Sequence, residues 1–373
     1  MISDRALDLA VERGVITVEQ AQALRGLAEE TAPPPPPPPP PQAKSAVSDG
    51  VGADDEALRF VTGFADIFVS LGLALFFSST AYLVSSYGGG TPMWATLAAL
   101  SWLVAEFFSR KRRQALPSII LLGLFSTSIF MLTTRLIAEL NPTAPINWWH
   151  PTSEVGWLFT HAMSMAAAGL ATAAMTTLYY LRFRVPITIA AMAAAVIATL
   201  IGLVFWLLPD FGARALNILL LISGILVFLL AMWFDMTDLQ RVTRRTDIAF
   251  WLHLLAAPLI VHPLISAIVK NGAALDTTTA IEVLAIFLAL GLVSLIIDRR
   301  ALLVSGLTYA GIAFGTLLQK TGFANNTPAA TLLALGLFIL LLSALWHPLR
   351  QAILKLLPEA LVLRLPHAHV LRS

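Results

Sequence analysis

Cysteine is absent from all 373 residues, which excludes disulfides, thiolate metal sites, iron–sulfur clusters and cysteine nucleophiles. Charge is scarce as well: Asp, Glu, Lys and Arg make up 12% of the chain, against roughly 25% in an average soluble domain. There is no P-loop, no dinucleotide glycine fingerprint, no H-E-x-x-H and no G-x-S-x-G, so ATP-driven transport and the common intramembrane proteases have no sequence support. No cofactor or metal set emerges from the residues, and an enzymatic role has little behind it. The first thirty residues are polar and helix-forming, without the basic start and apolar core of a cleavable signal peptide.

What is present is apolar. Hydrophobic residues form 57% of the chain, and they run in stretches of near bilayer-spanning length at 64–84, 91–109, 116–138, 156–181, 185–208, 216–234, 248–269, 279–297, 301–318 and 328–346. The expectation is an all-α, polytopic transmembrane helix bundle of about ten spans built from hairpins, with the lipid bilayer as its main solvent. Basic residues alternate between the connections. Eleven follow the even-numbered spans (Arg110, Lys111, Arg112 and Arg113; Arg182 and Arg184; Arg241, Arg244 and Arg245; Arg299 and Arg300), whereas the other face carries only Arg135, Arg214, Lys270 and Lys320. The positive-inside rule then puts both termini of this multi-pass protein in the cytoplasm, and Trp94, Trp148, Trp149, Trp157 and Trp206 form an aromatic belt near the opposite face. The net charge of +2 sits beside apolar spans, where lipid headgroups are nearer partners than nucleic acid.

Four regions follow. Residues 1–30 read as a cytoplasmic helical hairpin, with Gly14 as the left-handed cap of the first helix, Thr17 and Gln20 as a capping box for the second, and Ile16 as its staple. Residues 31–58 are a linker in which Pro33 to Pro41, nine prolines in a row, favour a polyproline rod of about 28 Å at roughly 3.1 Å per residue. The hairpin is too small to be stable alone, so residues 1–41 are expected to dock on the membrane body, another copy or a protein partner; the oligomeric state is not legible. Residues 59–346 form the transmembrane domain. Residues 347–373, with Arg350, Lys355 and Arg364 among leucines, read as an amphipathic tail on the cytoplasmic leaflet. Within the body, Ala162, Ala166, Gly169 and Ala173 make a ridge of small residues, and Gly311 and Gly315 a second, both suited to close helix approach.

The hairpin motif Gly14-Val-Ile-Thr17-Val-Glu-Gln20-Ala21, and the block from Asp247 through Trp251, His253, Pro258 and His262 to Pro263, resemble a group of bacterial multi-span membrane proteins of unknown activity in which a short N-terminal helical hairpin precedes a many-span body. The resemblance implies a bacterial inner-membrane protein and transfers no functional residue.

The seventh span concentrates chemistry. His253 and His262 are ionisable groups inside a membrane segment, which makes them candidates for a polar pathway with Asp247, while Pro258 and Pro263 could kink the helix and free carbonyls for ion or solute contacts. Nine positions apart, the histidines face opposite sides of an ideal helix and cannot share a metal; neutral imidazoles bonded to neighbouring helices are the simpler alternative. Just before them, Asp235, Asp238, Arg241, Arg244 and Asp247 recur every third residue. On one helix Asp238 with Arg241 and Arg244 with Asp247 would be i,i+3 pairs, forming a charged gate, a Mg²⁺-and-phosphate headgroup site, or an ordinary solvated loop. Arg135, Glu139 and His161, with the 141–155 loop, could line an outward pocket, or be a satisfied ion pair beside belt tryptophans. Asp66, Glu106 and Glu282 are further intramembrane acids, the first two near cytoplasmic helix ends. Three functions compete: a transporter-like or solute- and lipid-binding body, a scaffold that recruits a partner through the hairpin, and a lipid-modifying enzyme using Asp235, Asp238 and His253.

Overall fold

The computed structural model describes residues 9–30, 64–140, 154–238, 243–269, 276–319 and 327–358. The proline run, Trp148, Trp149, His150, Arg241, Lys270, Lys320 and the tail beyond residue 358 lie outside them. The chain divides into two compact units, 1–55 and 56–373.

In the first unit, residues 9–12 end a helical segment at Gly14, whose φ of +66° is the left-handed conformation a glycine accepts without strain. Helix α1 (Val18–Glu30) then starts on a reciprocal cap: the Thr17 backbone N–H donates to Gln20 Oε1 at 3.0 Å, and the Gln20 N–H donates to Thr17 Oγ1 at 3.3 Å.

The second unit is entirely helical among the described residues: α2 (Phe64–Gly88), α3 (Gly90–Ala105), α4 (Ala115–Leu140), α5 (Glu154–Phe183), α6 (Ile187–Leu207), α7 (Pro209–Met236), α8 (Arg244–Ile268), α9 (Thr277–Ile297), α10 (Ala301–Gln319), α11 (Thr327–Ala344) and α12 (Trp346–Leu354). Helix occupies each of the ten apolar stretches. Among the described residues, however, six helices are long and apolar enough to cross a membrane by themselves, and seven if α11 and α12, bent by 63°, form one broken span. For α3 the shortfall is one of length. Helix α3 has 16 residues, about 24 Å at 1.5 Å per residue, short of a hydrocarbon core of roughly 30 Å; the π-helical turn Glu106–Lys111 carries it on.

Apolar side chains point outward along these helices, among them Phe68, Leu75, Leu170, Leu226 and Leu332, as lipid solvation allows and water would not. Inside, the helices meet through two devices. Trp102, Phe125, Tyr179 and Phe183 cluster with ring centroids 4.4 to 5.7 Å apart and tie α3, α4 and α5 together. The small-residue ridge of α5 meets α6 backbone to backbone: a Cβ on Gly169 would lie 2.7 Å from the Thr199 nitrogen, and one on Gly202 would lie 2.6 Å from the Ala166 nitrogen. The ridge therefore serves contact within the chain. Helix α8 is the most enclosed crossing, with half of its most apolar window buried against 17% to 33% in the other five. It packs against α6, α7, α9 and α10, and it runs from Arg244 to Ile268 through both Pro258 and Pro263.

Candidate functional site

The stretch from Asp235 to Asp247 does not form the single helix that the three-residue recurrence suggested. Helix α7 ends at Met236, and Thr243 opens α8 as an extended N-cap whose Oγ1 accepts from the Arg245 N–H at 3.2 Å. Asp238, in the connection, uses Oδ2 to accept from the Thr243 N–H at 2.8 Å, the Thr243 hydroxyl at 2.6 Å and the Thr246 hydroxyl at 3.0 Å. It is a carboxylate cap for α8; its expected i,i+3 partner, Arg241, lies outside the described residues. An anion at this position also suits the positive end of the helix dipole.

Asp235, at the last turn of α7, points into the bundle and is buried, as are His253 and Arg299. His253 Nε2 lies 3.0 Å from Asp235 Oδ2, and an ionised carboxylate only accepts, so Nε2 carries the shared hydrogen. Arg299 grips the same carboxylate with two nitrogens: Nε donates to Oδ2 at 3.0 Å, and Nη2 donates to Oδ1. Nη2 also reaches the Thr246 carbonyl at 3.4 Å. The Phe228 ring closes the edge of His253 at 5.3 Å between centroids. Three ionisable side chains from α7, α8 and the α9–α10 connection thus meet away from solvent. Asp235 and Asp238 are both engaged by protein donors, which leaves neither turned outward to hold a hydrated Mg²⁺ in this conformation.

The backbone that aims Arg299 is built by its neighbours. Asp298 terminates α9 with φ +58° and ψ +50°, a left-handed conformation that aspartate tolerates better than most residues. The Arg299 N–H then donates to the Ser294 carbonyl at 2.9 Å, and the Ser294 hydroxyl donates back to the Arg299 carbonyl at 2.5 Å. Helix α12 packs against this corner. Trp346 Nε1 donates to Asp298 Oδ1 at 2.9 Å, Arg350 Nε donates to the Leu295 carbonyl at 3.2 Å, and the Arg300 guanidinium lies 4.8 Å from the Trp346 ring centre. Arg350 is 2% exposed. The amphipathic reading of 347–373 placed that arginine toward headgroups; in the structure it is a buried pin, while Leu349 and Leu356 remain on the outer side.

A second feature adjoins the first. A cleft of about 450 Å³ opens between the α3–α4 and α5–α6 connections and the first turns of α8. Arg110, Arg113, Arg182, Arg184 and Arg244 line it with Asp247, beside Ile119, Ile187 and Trp251. Glu106 pairs with Arg182 at 2.7 Å and with Arg110 at 3.2 Å. All four basic connections therefore gather at one end of the unit, three around the cleft and two around Asp235 and Asp238, with the start of α8 belonging to both.

The remaining candidates are dispersed. His262 is exposed, and its Nδ1 lies 2.7 Å from the Tyr309 hydroxyl on α10, about 13 Å along α8 from His253 at 1.5 Å per residue. The two histidines have separate partners, and among the described residues no three histidine, aspartate or glutamate side chains converge as a metal set. Arg135 and Glu139 reach the first turn of α3: the guanidinium occupies the space a Cβ on Gly90 would need, and Glu139 accepts from the Thr91 hydroxyl. His161 sits buried at a kink in α5, with φ −122° and ψ +15°. Asp66 is buried in the first turn of α2, and Glu282 is exposed.

The pattern of residues missed Arg299, Asp298, Tyr309 and the inward turn of Trp346 and Arg350. One signal was available: Asp298-Arg299-Arg300 directly abuts an apolar span, where a lone acid next to two bases has reason to be structural. Comparison of the chain with family models, with curated proteins and with solved structures finds no match.

Proposed function

We propose that this chain is a bacterial inner-membrane protein of about ten spans, with both termini cytoplasmic, whose body binds or passes a small polar solute or lipid along α8. The observation that carries this reading is the buried Asp235–His253–Arg299 cluster. Removing charges from water costs several kcal/mol per ion even after relaxation, and apolar side chains could join three helices without that penalty. Ionisable groups inside a membrane body are by default functional, and this cluster joins the most enclosed helix to α7 and the α9–α10 turn, where its rupture would let the elements separate. It acts as a gate latch at the cytoplasmic mouth. His262 and Tyr309 supply a second polar station farther along the same helix.

The cysteine-free chain makes the test direct. Single cysteines placed from Asp247 to Pro263 are probed in intact and permeabilised cells with a membrane-impermeant maleimide, in the otherwise native chain and with Arg299→Gln. A labelled stripe at helical spacing that reaches the His253 face, strengthened by Arg299→Gln, is the expected result. Silence beyond the helix ends in both backgrounds would leave a packed body. It would then favour the scaffold reading, which the N-terminal unit supports through its exposed Leu9, Val15, Val18 and Leu24.

A further inference from the structure

We propose that the arginine-lined cleft is a binding site for a phosphate-bearing ligand, either the headgroup of an anionic phospholipid or a soluble phosphate compound. The site shares Arg244, Asp247 and Trp251 with the start of α8, but its test reads phosphate binding rather than solvent access along the helix, so the failure of one reading is distinguishable from the failure of the other.

Charge comes first. Five guanidinium groups line the cleft, and the two carboxylates placed among them are Asp247 at its wall and Glu106, which neutralises part of Arg110 and Arg182. Among the described residues, three positive charges remain in excess. Arg113, Arg184 and Arg244 form no ion pair with any described residue. Guanidinium groups around a concavity match the geometry of phosphate oxygens, which accept paired, charge-assisted hydrogen bonds.

Backbone conformation points the same way. Three non-glycine residues have positive φ among the described residues, and two of them are Arg113 and Arg184, each at +53°. Both follow a helix end, where glycine usually stands because it alone escapes the steric penalty. A topology requirement for basic loops is satisfied by arginine anywhere in the connection; it does not explain why the strained residue in each of two connections is the arginine that lines the cleft. Strain held in this way is characteristic of ligand sites.

The apolar lining supplies the third argument. Beside the arginines the lining includes Ile119, Ile187 and Trp251, each on a helix long and apolar enough to cross a membrane. A ligand with an anionic head and an apolar body satisfies both kinds of lining.

The test uses the full-length protein purified in a zwitterionic detergent. Thermal unfolding is followed with added pyrophosphate, short-chain phosphatidylglycerol or short-chain phosphatidylcholine, for the native chain, for R113G/R184G, which also removes the backbone strain, for R244Q, and for R112Q as a charge-matched control outside the cleft. The expected result is a concentration-dependent rise in Tm with pyrophosphate, phosphatidylglycerol or both. Its apparent affinity falls about tenfold or more in R113G/R184G and in R244Q, as loss of a charge-assisted contact implies, and is nearly unchanged in R112Q. A response to phosphatidylglycerol alone identifies the lipid source, and one to pyrophosphate identifies a soluble phosphate. Equal responses in all variants, equal responses to phosphatidylcholine, or no response would overturn the site. R113G/R184G that unfolds at or above the native Tm yet has lost the response separates ligand loss from misfolding; R244Q provides the same readout without touching a strained residue.

Discussion

Helix α8 carries two histidines, and the protein treats them differently. His253 is fully buried and bonded to a carboxylate already held by Arg299, whereas His262 is exposed and meets one neutral hydroxyl. Both are imidazoles on one helix facing an apolar environment. The difference is in what happens when the partner is lost: at His262 the surroundings can compensate a single neutral bond, while at His253 a charge would be stranded without water. The basic end of the unit is therefore a place where few side chains carry much energy, and the His262 end is one where each contributes little.

The harshest way to break that contrast is Asp235→Ala. It removes the carboxylate that Arg299 grips with two nitrogens, and breaking a buried ion pair by removing one partner destabilises by about 3–5 kcal/mol. Reversible unfolding in mixed micelles would measure it. The double variant Asp235→Leu with Arg299→Met removes both charges, and its stability should return to within about 1–2 kcal/mol of the native value, since an apolar pair of similar volume commonly replaces a buried ion pair at little net loss. If Asp235→Ala alone cost under about 1 kcal/mol, the cluster would be hydrated and the two ends of α8 would be alike.

His253→Leu sharpens the comparison from the other side. Asp235 keeps both contacts from Arg299 and loses only the third, so the expected loss is about 1–3 kcal/mol, the range for removing one partner of a buried polar group. A value matching Asp235→Ala would instead mean that His253, not Arg299, holds the carboxylate. Between these in logic though not at the same end, Gly202→Ala drives a methyl group to within 2.6 Å of the Ala166 backbone nitrogen on α5. Backbone cannot turn aside as a side chain can, so about 1–3 kcal/mol is expected from overpacking, without any charge being involved.

Hydropathy and local chemistry went far in this chain and then stopped at a definable point. The apolar stretches became helices and the Thr17–Gln20 box and the Gly14 cap formed, because each depends on residues within a few positions of one another; the Ala162–Gly169 ridge, a local pattern of small residues, met a neighbouring helix. The Asp235–His253 pair lay within a block already marked by its charges. What stayed hidden depended on distance along the chain: Arg299 is 64 residues from Asp235, and Trp346 is 48 from Asp298. Counting loop charges treats Arg299 as one more solvated base, and the amphipathic pattern treats Arg350 as a headgroup contact, since both measures average over solvent and contain no tertiary partner. Asp238 shows the reverse error. A three-residue recurrence reads as helix only if helix is continuous, and the Thr243 cap interrupts it.

Tyr309→Phe is the mildest perturbation and the one that decides whether the His262 end is as quiet as it looks. It deletes the hydroxyl 2.7 Å from His262 Nδ1 and leaves the ring in place. Hydrogen bonds between membrane helices average about 0.6 kcal/mol, because the separated helices find other partners, so a loss of about 0.5–1 kcal/mol is expected in the same unfolding assay. His262→Phe should cost the same within about 0.5 kcal/mol, and the double variant should add nothing further, since either change alone removes the shared bond. A loss above about 2 kcal/mol for Tyr309→Phe would place a second high-stakes polar contact on α8. The two histidines would then be equivalent anchors, and the energetic weight of the bundle would be spread along α8 rather than gathered where the arginines are.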